Sequence, residues 1–432
     1  MNKRILQLAV PNIITNITIP LLGIVDLAIV GHIGDKTHIG GIAIGTMIFN
    51  FIYWNFGFLR MGTGGFTAQA YGARDFNEAM KILVRALAIA LGIAFLLLAL
   101  QKLICQFSLY VVDGSPEMEQ FASRYFFVRI WAAPAVLCLY GIKGWFIGMQ
   151  NARIPMFIAI LINVFNIVFS LLFVFVLDMD IEGIALGTVL AQYGGLLTAI
   201  VFWMLYYRRF IQHFNIKESL NLKEMKRFFS VNADIFIRSL CLVSVFSFIP
   251  IASAKMGDLT LAINTLLLQF FTIFSYIMDG FAYAGEALTG RYIGAKNKAN
   301  LKISIKLIFR WGLGLSILFV LLYAFAGENL LWIFTNDASI IEHAHIFYWW
   351  VLLVPITGYA AFLWDGIFVG ATASKTMRNA MLMSTALFFT VYYSFSSLLE
   401  NNALWLALIV FLLIRGIIQW LYSPKAIYGA IR

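Results

Sequence analysis

GFTAQAYGARD, residues 65–75, has a second version in this chain: ALTGRYIGAKN at 287–297. Thr67, Gly72, Ala73 and Arg74 return 222 positions later as Thr289, Gly294, Ala295 and Lys296. The same offset carries Gly144, Phe146 and Gly148 onto Gly366, Phe368 and Gly370. Small residues also align between these anchors: Gly62 with Ala284, Gly65 with Ala287, Ala68 with Gly290. Small residues recur wherever helices pack closely, but that does not explain identical residues at one constant offset. The sequence therefore reads as a duplication, and each copy as one structural unit.

Outward from this repeat, composition sets the class. The chain is 62% hydrophobic and 12% charged, against roughly 25% charged in soluble domains. Apolar runs of the ~20 residues needed to cross a bilayer follow one another from end to end. About twelve are expected by that length criterion, and no polar stretch is long enough for a separate soluble domain. A duplicated, strongly apolar chain of this kind points to a transporter of two bundles around a central site. The start, Lys3 and Arg4 before an apolar run without a small-residue cleavage site, reads as a signal-anchor. Cys105, Cys138 and Cys241 lie in or beside apolar segments without paired spacing, so neither a disulfide framework nor a metal site is indicated.

The net charge of +10 is distributed by side, not gathered into a nucleic-acid patch. With Lys3 and Arg4 cytoplasmic, the inner connections hold Arg74, Lys81, Arg85, Arg153, the run from Arg208 to Arg227, and Arg291 through Arg310. The opposite connections hold Asp113, Glu117, Glu119, Asp178, Asp180, Glu182, Glu328, Asp337 and Glu342. This is the positive-inside pattern, with both termini inside and the basic residues against anionic headgroups. The longest basic connection falls where the repeat requires a boundary. The expected organisation is a first lobe at 1–206, a cytoplasmic linker at 207–228 and a second lobe at 229–432. Each half has an even number of crossings, so the repeats are parallel, related by an axis along the membrane normal.

Packing should respect the duplication, while chemistry need not. Asp26 pairs by offset with Phe248, Asp279 with Gly57, Glu286 with Gly64, and Arg238 with Asn16; Lys143 faces Asp365 with reversed sign. Ionisable groups inside apolar segments are costly and normally turn toward a cavity or a partner. Asp234, Arg238, Asp279, Glu286 and Asp365 form a candidate charge cluster in the second half, which either neutralises itself statically or serves transport. Snorkelling to the interface accounts equally for Lys143 and Asp365. Asp26 has few basic partners in its half. Burial raises a lone carboxylate's pKa, so it can take up a proton near neutrality or stay ionised around a cation.

Several segments together carry a resemblance: VPNI at 10–13, the Asp26 helix ending in GHIG, GFTAQAYGARD, and GWFIGMQNARIP at 144–155. The second half adds NADIFIRSL at 232–240, DGFAYAGEALTGRYIGA at 279–295 and DGIFVGATASK at 365–375. Over nearly its whole length the chain resembles the multidrug and toxic compound extrusion (MATE) transporters, and within them the DinF-like branch. The resemblance implies an all-α integral membrane protein with two pseudo-symmetric six-helix bundles in a V around a central cavity. It also implies export of amphipathic, often cationic, small molecules driven by a proton or sodium gradient.

In the family, an Asp on the first helix meets an Asn and an Asp one turn apart on the fifth and a Thr on the sixth. Asp26, Asn166 and Thr188 match, whereas the fourth position is Ser170 in place of the second carboxylate. The resemblance thus implies an ion-coupling set of Asp26, Asn166, Ser170 and Thr188. Proton coupling through Asp26 and a sodium ion held by these four oxygens both remain open, as does a plain packing role for Ser170 and Thr188. Pro11 is either the kink that the family places in helix one or a helix-start proline.

No metalloprotease, nucleophile-elbow or P-loop motif is present, so an enzyme has little support. A passive pore would need symmetric rings of charge or carbonyls. The expectation is a secondary antiporter in the cell's inner (cytoplasmic) membrane, with no cofactor besides its coupling ion and no nucleic-acid partner. It would touch lipid and small-molecule cargo and work as a monomer. The alternative is a flippase for lipid-linked precursors. Intramembrane acids (Asp26, Asp279, Glu286, Asp365) outnumber Arg238 and Lys143, which tilts the cargo toward cations.

Overall fold

A chain inside a bilayer must satisfy its backbone N–H and C=O groups internally, and helices do so within each segment. The computed structural model describes residues 1–31, 36–112, 114–213 and 216–431; the side chains at 19, 21, 22, 24–28, 30, 31, 36, 213, 216, 217 and 328 also lie outside the described residues. The described residues are helical almost throughout and contain no strand. Eleven of their helices are long and apolar enough to cross a membrane, and α1 (Asn2–Gly31) precedes them.

In the first half, α2 runs in two segments, Lys36–Asn55 and Phe58–Ala73, and α3 spans Phe76–Ala99. A shorter helix, Gln101–Val112, leads to α4, Pro116–Arg129 and Ala133–Gly148. Next come α5 (Arg153–Leu171) and α6 (Ile181–Tyr207). The second half continues with α7 (Leu222–Lys255), α8 (Asp258–Gly294), α9 (Lys298–Phe334), α10 (Ala338–Gly370), α11 (Ser374–Leu399) and α12 (Asn401–Ala426).

The quoted motif is a corner between two helices, built alike in both halves. Arg74 and Lys296 take left-handed backbone angles, φ 59° and 52°. Asp75 N then donates to Ala70 O and Asn297 N to Tyr292 O, both at 2.9 Å. Asp75 Oδ1 caps α3 by accepting from Glu78 N at 2.9 Å, and Asn297 Oδ1 caps α9 by accepting from Asn300 N at 3.0 Å. Asp and Asn are strong N-caps because their side-chain oxygen satisfies an otherwise orphaned N–H. The six described non-glycine residues with positive φ fall into three pairs at the repeat offset: Arg74 and Lys296, Gln150 and Thr372, Asp178 and Glu400. A left-handed residue costs roughly 1–2 kcal/mol without glycine, so its recurrence at matched positions marks a duplicated backbone.

Helix crossings repeat as well. A Cβ at Gly144 would strike the carbonyl oxygen of Arg60, and one at Gly366 that of Ala282, each 222 residues on. Gly148 sits against Gly64 O, and Gly370 against Glu286 O, in the same relation. The second segment of α2 thus crosses α4 backbone to backbone, as α8 crosses α10. The halves differ in continuity. α2 turns at 56–57 and α4 passes through a 3₁₀ turn at Ile130–Ala132, while α8 and α10 run unbroken.

The chain divides into two compact units, one comprising Ile14–Phe228 and the other Met1–Ile13 with Phe229–Arg432. The first thirteen residues earn their place in the second by close packing: Gly280 of α8 lies against Ala9 O and the Ile13 side chain. Tyr292 and Trp311 contact Met1 and Asn2. Since α1 begins at Asn2, Pro11 stands inside the helix and is not a helix-start proline.

Gly366→Ala should therefore lower stability by about 1–3 kcal/mol through overpacking, read as a lower apparent unfolding temperature in detergent. Gly92→Ala, whose new Cβ meets nothing within 4 Å, should leave that temperature unchanged or raise it.

Candidate functional site

In the first unit, three residues of the expected ion set come together. Asn166 and Ser170 occupy one face of α5, a turn apart, and Thr188 lies on α6; all three are buried. Asn166 Nδ2 donates to Thr188 Oγ1 at 2.9 Å, and Thr188 Oγ1 donates to Ile184 O at 3.1 Å. Gly187 allows the approach: a Cβ there would lie 2.6 Å from Ser170 Oγ. Two oxygens remain uncommitted. Asn166 Oδ1 and Ser170 Oγ are buried without a hydrogen-bond partner among the described residues. Buried polar atoms in that state are exceptional, and neutral oxygens of this kind suit a hard cation or a protonated partner. The Asp26 side chain lies outside the described residues.

At the matched positions of the second unit, aromatic residues replace these polar ones. Phe248, Phe388 and Tyr392 stand at the offset from Asp26, Asn166 and Ser170. Their rings touch, with Phe248 centred 6.0 Å from Phe388 and 5.0 Å from Tyr392. Phe389 and Tyr393 complete this aromatic cluster.

Of the five charges expected to cluster in the second half, Arg238 and Asp365 pair directly, Asp279 acts on the same group through Arg415, and Asp234 turns to α11. Arg238 of α7 pairs with Asp365 of α10. Asp234, one turn before Arg238, instead accepts from Ser374 Oγ at 2.8 Å and Arg378 Nη1 at 2.6 Å on α11. Glu286 is buried on α8, where that helix meets Gly370. Asp279, also on α8, acts electrostatically on Arg415 of α12.

Arg415 and its neighbour Gln419 were missed by sequence reading. Arg415 Nη2 stands 3.8 Å from Asp365 Oδ2, and Gln419 Nε2 donates to Asp365 Oδ1 at 2.7 Å. A signal was available: Arg415 interrupts FLLIRGIIQWL, and its offset partner is Tyr193. The asymmetry that flags Arg238 flags Arg415 too. Two first-half cations are buried as well: Arg85, read as part of an inner connection, and Arg129, which sequence reading did not single out. Arg129 lies over Phe49 at 5.1 Å, and Arg85 donates to Ser219 O at 2.8 Å and bridges Glu78 at 2.7 Å. With Arg415 and Arg129 counted, the acidic tilt in the apolar segments disappears.

Comparison with known proteins bears on the whole chain. The MatE family model matches residues 11–172 and 235–393, once in each half. DNA damage-inducible protein F of Escherichia coli (strain K12) is 36% identical over 421 residues, covering 96% of this chain and 90% of that protein. The probable multidrug resistance protein NorM of Acinetobacter baylyi is 25% identical over 356 residues, covering 79% of this chain and 77% of the relative. Among solved structures, an outward-facing multidrug resistance MATE family transporter superposes with a TM-score of 0.84 at 18% identity, covering 99% and 96% of the two chains. The Vibrio cholerae MATE transporter VcmN in its bent form gives 0.84 at 18% identity, covering 99% and 97%. These two likenesses concern the fold. With twelve long helices among the described residues, two matched halves and a family model spanning both, the chain belongs to the MatE family of multi-pass membrane transporters, which are not enzymes.

Proposed function

We propose that this protein exports amphipathic small molecules by antiport against a proton or sodium gradient, with coupling centred on the first half. The carrying observation is the asymmetry at matched positions: buried Asn166, Ser170 and Thr188 oxygens in one unit, Phe248, Phe388 and Tyr392 in the other. Contact between Phe248 and both Phe388 and Tyr392 supports grouping Asp26 with Asn166 and Ser170, because duplicated halves reuse the same helix faces. The names of relatives, a probable multidrug resistance protein and the multidrug export protein MepA of Staphylococcus aureus, support drug-like cargo.

In this reading Asp26 is the ion-responsive carboxylate. Protonation removes its charge; alternatively, sodium keeps it ionised and draws in Asn166 Oδ1, Ser170 Oγ and Thr188 Oγ1. Either event changes what α1 must accommodate. Pro11, which lacks the N–H of a normal helical residue, gives α1 its point of give. The two halves, joined by 207–228, then exchange access to the cargo by rigid-body rocking. Cargo leaves outward as the ion enters, from a protein working as a monomer in the inner membrane with both termini cytoplasmic.

Ethidium efflux from proteoliposomes under separately imposed proton and sodium gradients tests the reading. Asp26→Asn should abolish gradient-driven export while preserving folded protein; full export by that variant would sink the proposal. Asn166→Ala and Ser170→Ala separate the two ions. Under sodium coupling each should raise the sodium concentration for half-maximal export roughly tenfold, equivalent to 1.4 kcal/mol of binding. Under proton coupling neither should create a sodium requirement. Absence of export under both gradients would turn the assignment toward a lipid-linked precursor flippase.

A further inference from the structure

The second unit contains a polar site that the coupling scheme does not use. Arg238 from α7 and Arg415 from α12 approach the same oxygen of Asp365, while Gln419 takes its other oxygen. Arg415 is 2% exposed, Gln419 is fully buried and the Arg238 side chain is 11% exposed. The Arg415 guanidinium is held over the rings of Phe362 and Phe411, at 5.4 and 5.5 Å. Stacking of this kind fixes the orientation of the planar fork.

The donors and acceptors at this site do not balance. Two guanidiniums bring about ten N–H donors, and one carboxylate offers about four lone-pair positions. Arg238 Nε and Arg415 Nε are buried with no hydrogen-bond partner among the described residues; Gln419 Oε1 is also unpartnered but is an acceptor and adds nothing to the surplus. Asp279 acts on Arg415 through space, so the local charge is moderated while the donor surplus remains. The first half has no counterpart, since Asn16, Tyr193 and Leu197 stand where Arg238, Arg415 and Gln419 would fall.

We propose that Arg238 and Arg415, positioned through Asp365 and Gln419, form a subsite for the acidic end, carboxylate, sulfonate or phosphate, of an amphiphilic molecule, with Phe362 and Phe411 beside it. Guanidinium is the group best matched to such planar or tetrahedral oxyanions, through paired N–H donors. The inference rests on the export reading and extends its cargo from cations to anionic and zwitterionic amphiphiles. Its occupant is either a soluble amphiphile or a lipid headgroup, which share this chemistry.

The test uses a dansyl-labelled fatty acid as anionic probe and ethidium as cationic probe, in neutral phosphatidylcholine proteoliposomes under one gradient. Wild type should export both. Arg415→Gln should lower the anion-to-cation export ratio about tenfold, and Arg415→Lys, which keeps the charge but not the fork, about threefold. Wild type that exports ethidium but not the dansyl acid overturns the inference and leaves the export reading standing. So does an Arg415→Gln protein that loses both in equal proportion. If wild type exports neither probe, export itself fails, and dansyl fluorescence on purified protein in neutral detergent decides the subsite separately. Saturable binding weakened about tenfold by Arg415→Gln, or by Arg238→Gln should the first variant not fold, supports it; no saturable binding overturns it. Adding phosphatidylglycerol identifies the source: competition with the dansyl acid means that headgroups enter the subsite, and no competition means a soluble amphiphile.

Discussion

Everything in this fold hangs on helices crossing closely enough for a glycine to touch a neighbouring carbonyl. Gly144 on Arg60 O and Gly366 on Ala282 O bring α2 to α4 and α8 to α10 with no side chain between them. In a bilayer the hydrophobic effect does little to hold one helix against another, so packing and polar contacts at such interfaces do most of it. Once each pair is fixed, the corners at Arg74 and Lys296 set where α3 and α9 begin. The faces of α5 and α6, and of α7, α10 and α12, are then left to carry chemistry or to fill space.

Duplication makes that division visible. Where the two halves agree, residues do mechanical work: glycines at crossings, left-handed corner residues, Asp75 and Asn297 as caps. Where they disagree, one half has buried polar atoms and the other has apolar bulk. Asn166 and Ser170 stand against Phe388 and Tyr392; Arg415 and Gln419 stand against Tyr193 and Leu197. Neither half keeps both polar sites, so the pseudo-symmetric frame presents two different chemical environments.

Much of this was legible in the sequence, for identifiable reasons. Apolar length announces the helices, and a fixed offset announces the repeat. A four-residue spacing puts Asn166 and Ser170 on one face without any knowledge of neighbours. What spacing cannot give is the rotation of one helix against another. That rotation sends Asp234 to Arg378 on α11, while Arg238, one turn away, goes to Asp365 on α10. Arg415 escaped because a run of apolar neighbours conceals a single charge when hydropathy is read by length. The break at 56–57 has no proline to signal it, and its matched helix runs straight through.

The packing of Met1–Ile13 with the unit that begins at Phe229 has a consequence for biosynthesis. These residues leave the ribosome well before Gly280 and Tyr292, which are among their final neighbours. At about 5–20 residues per second, translation reaches those neighbours roughly 15–60 s later. Until then α1 can sit in the bilayer with only its later portion matched to a partner. The segment Met1–Ile13 is thus buried late, and a truncated product ending before α8 would leave that apolar segment unclaimed for membrane quality control to recognise.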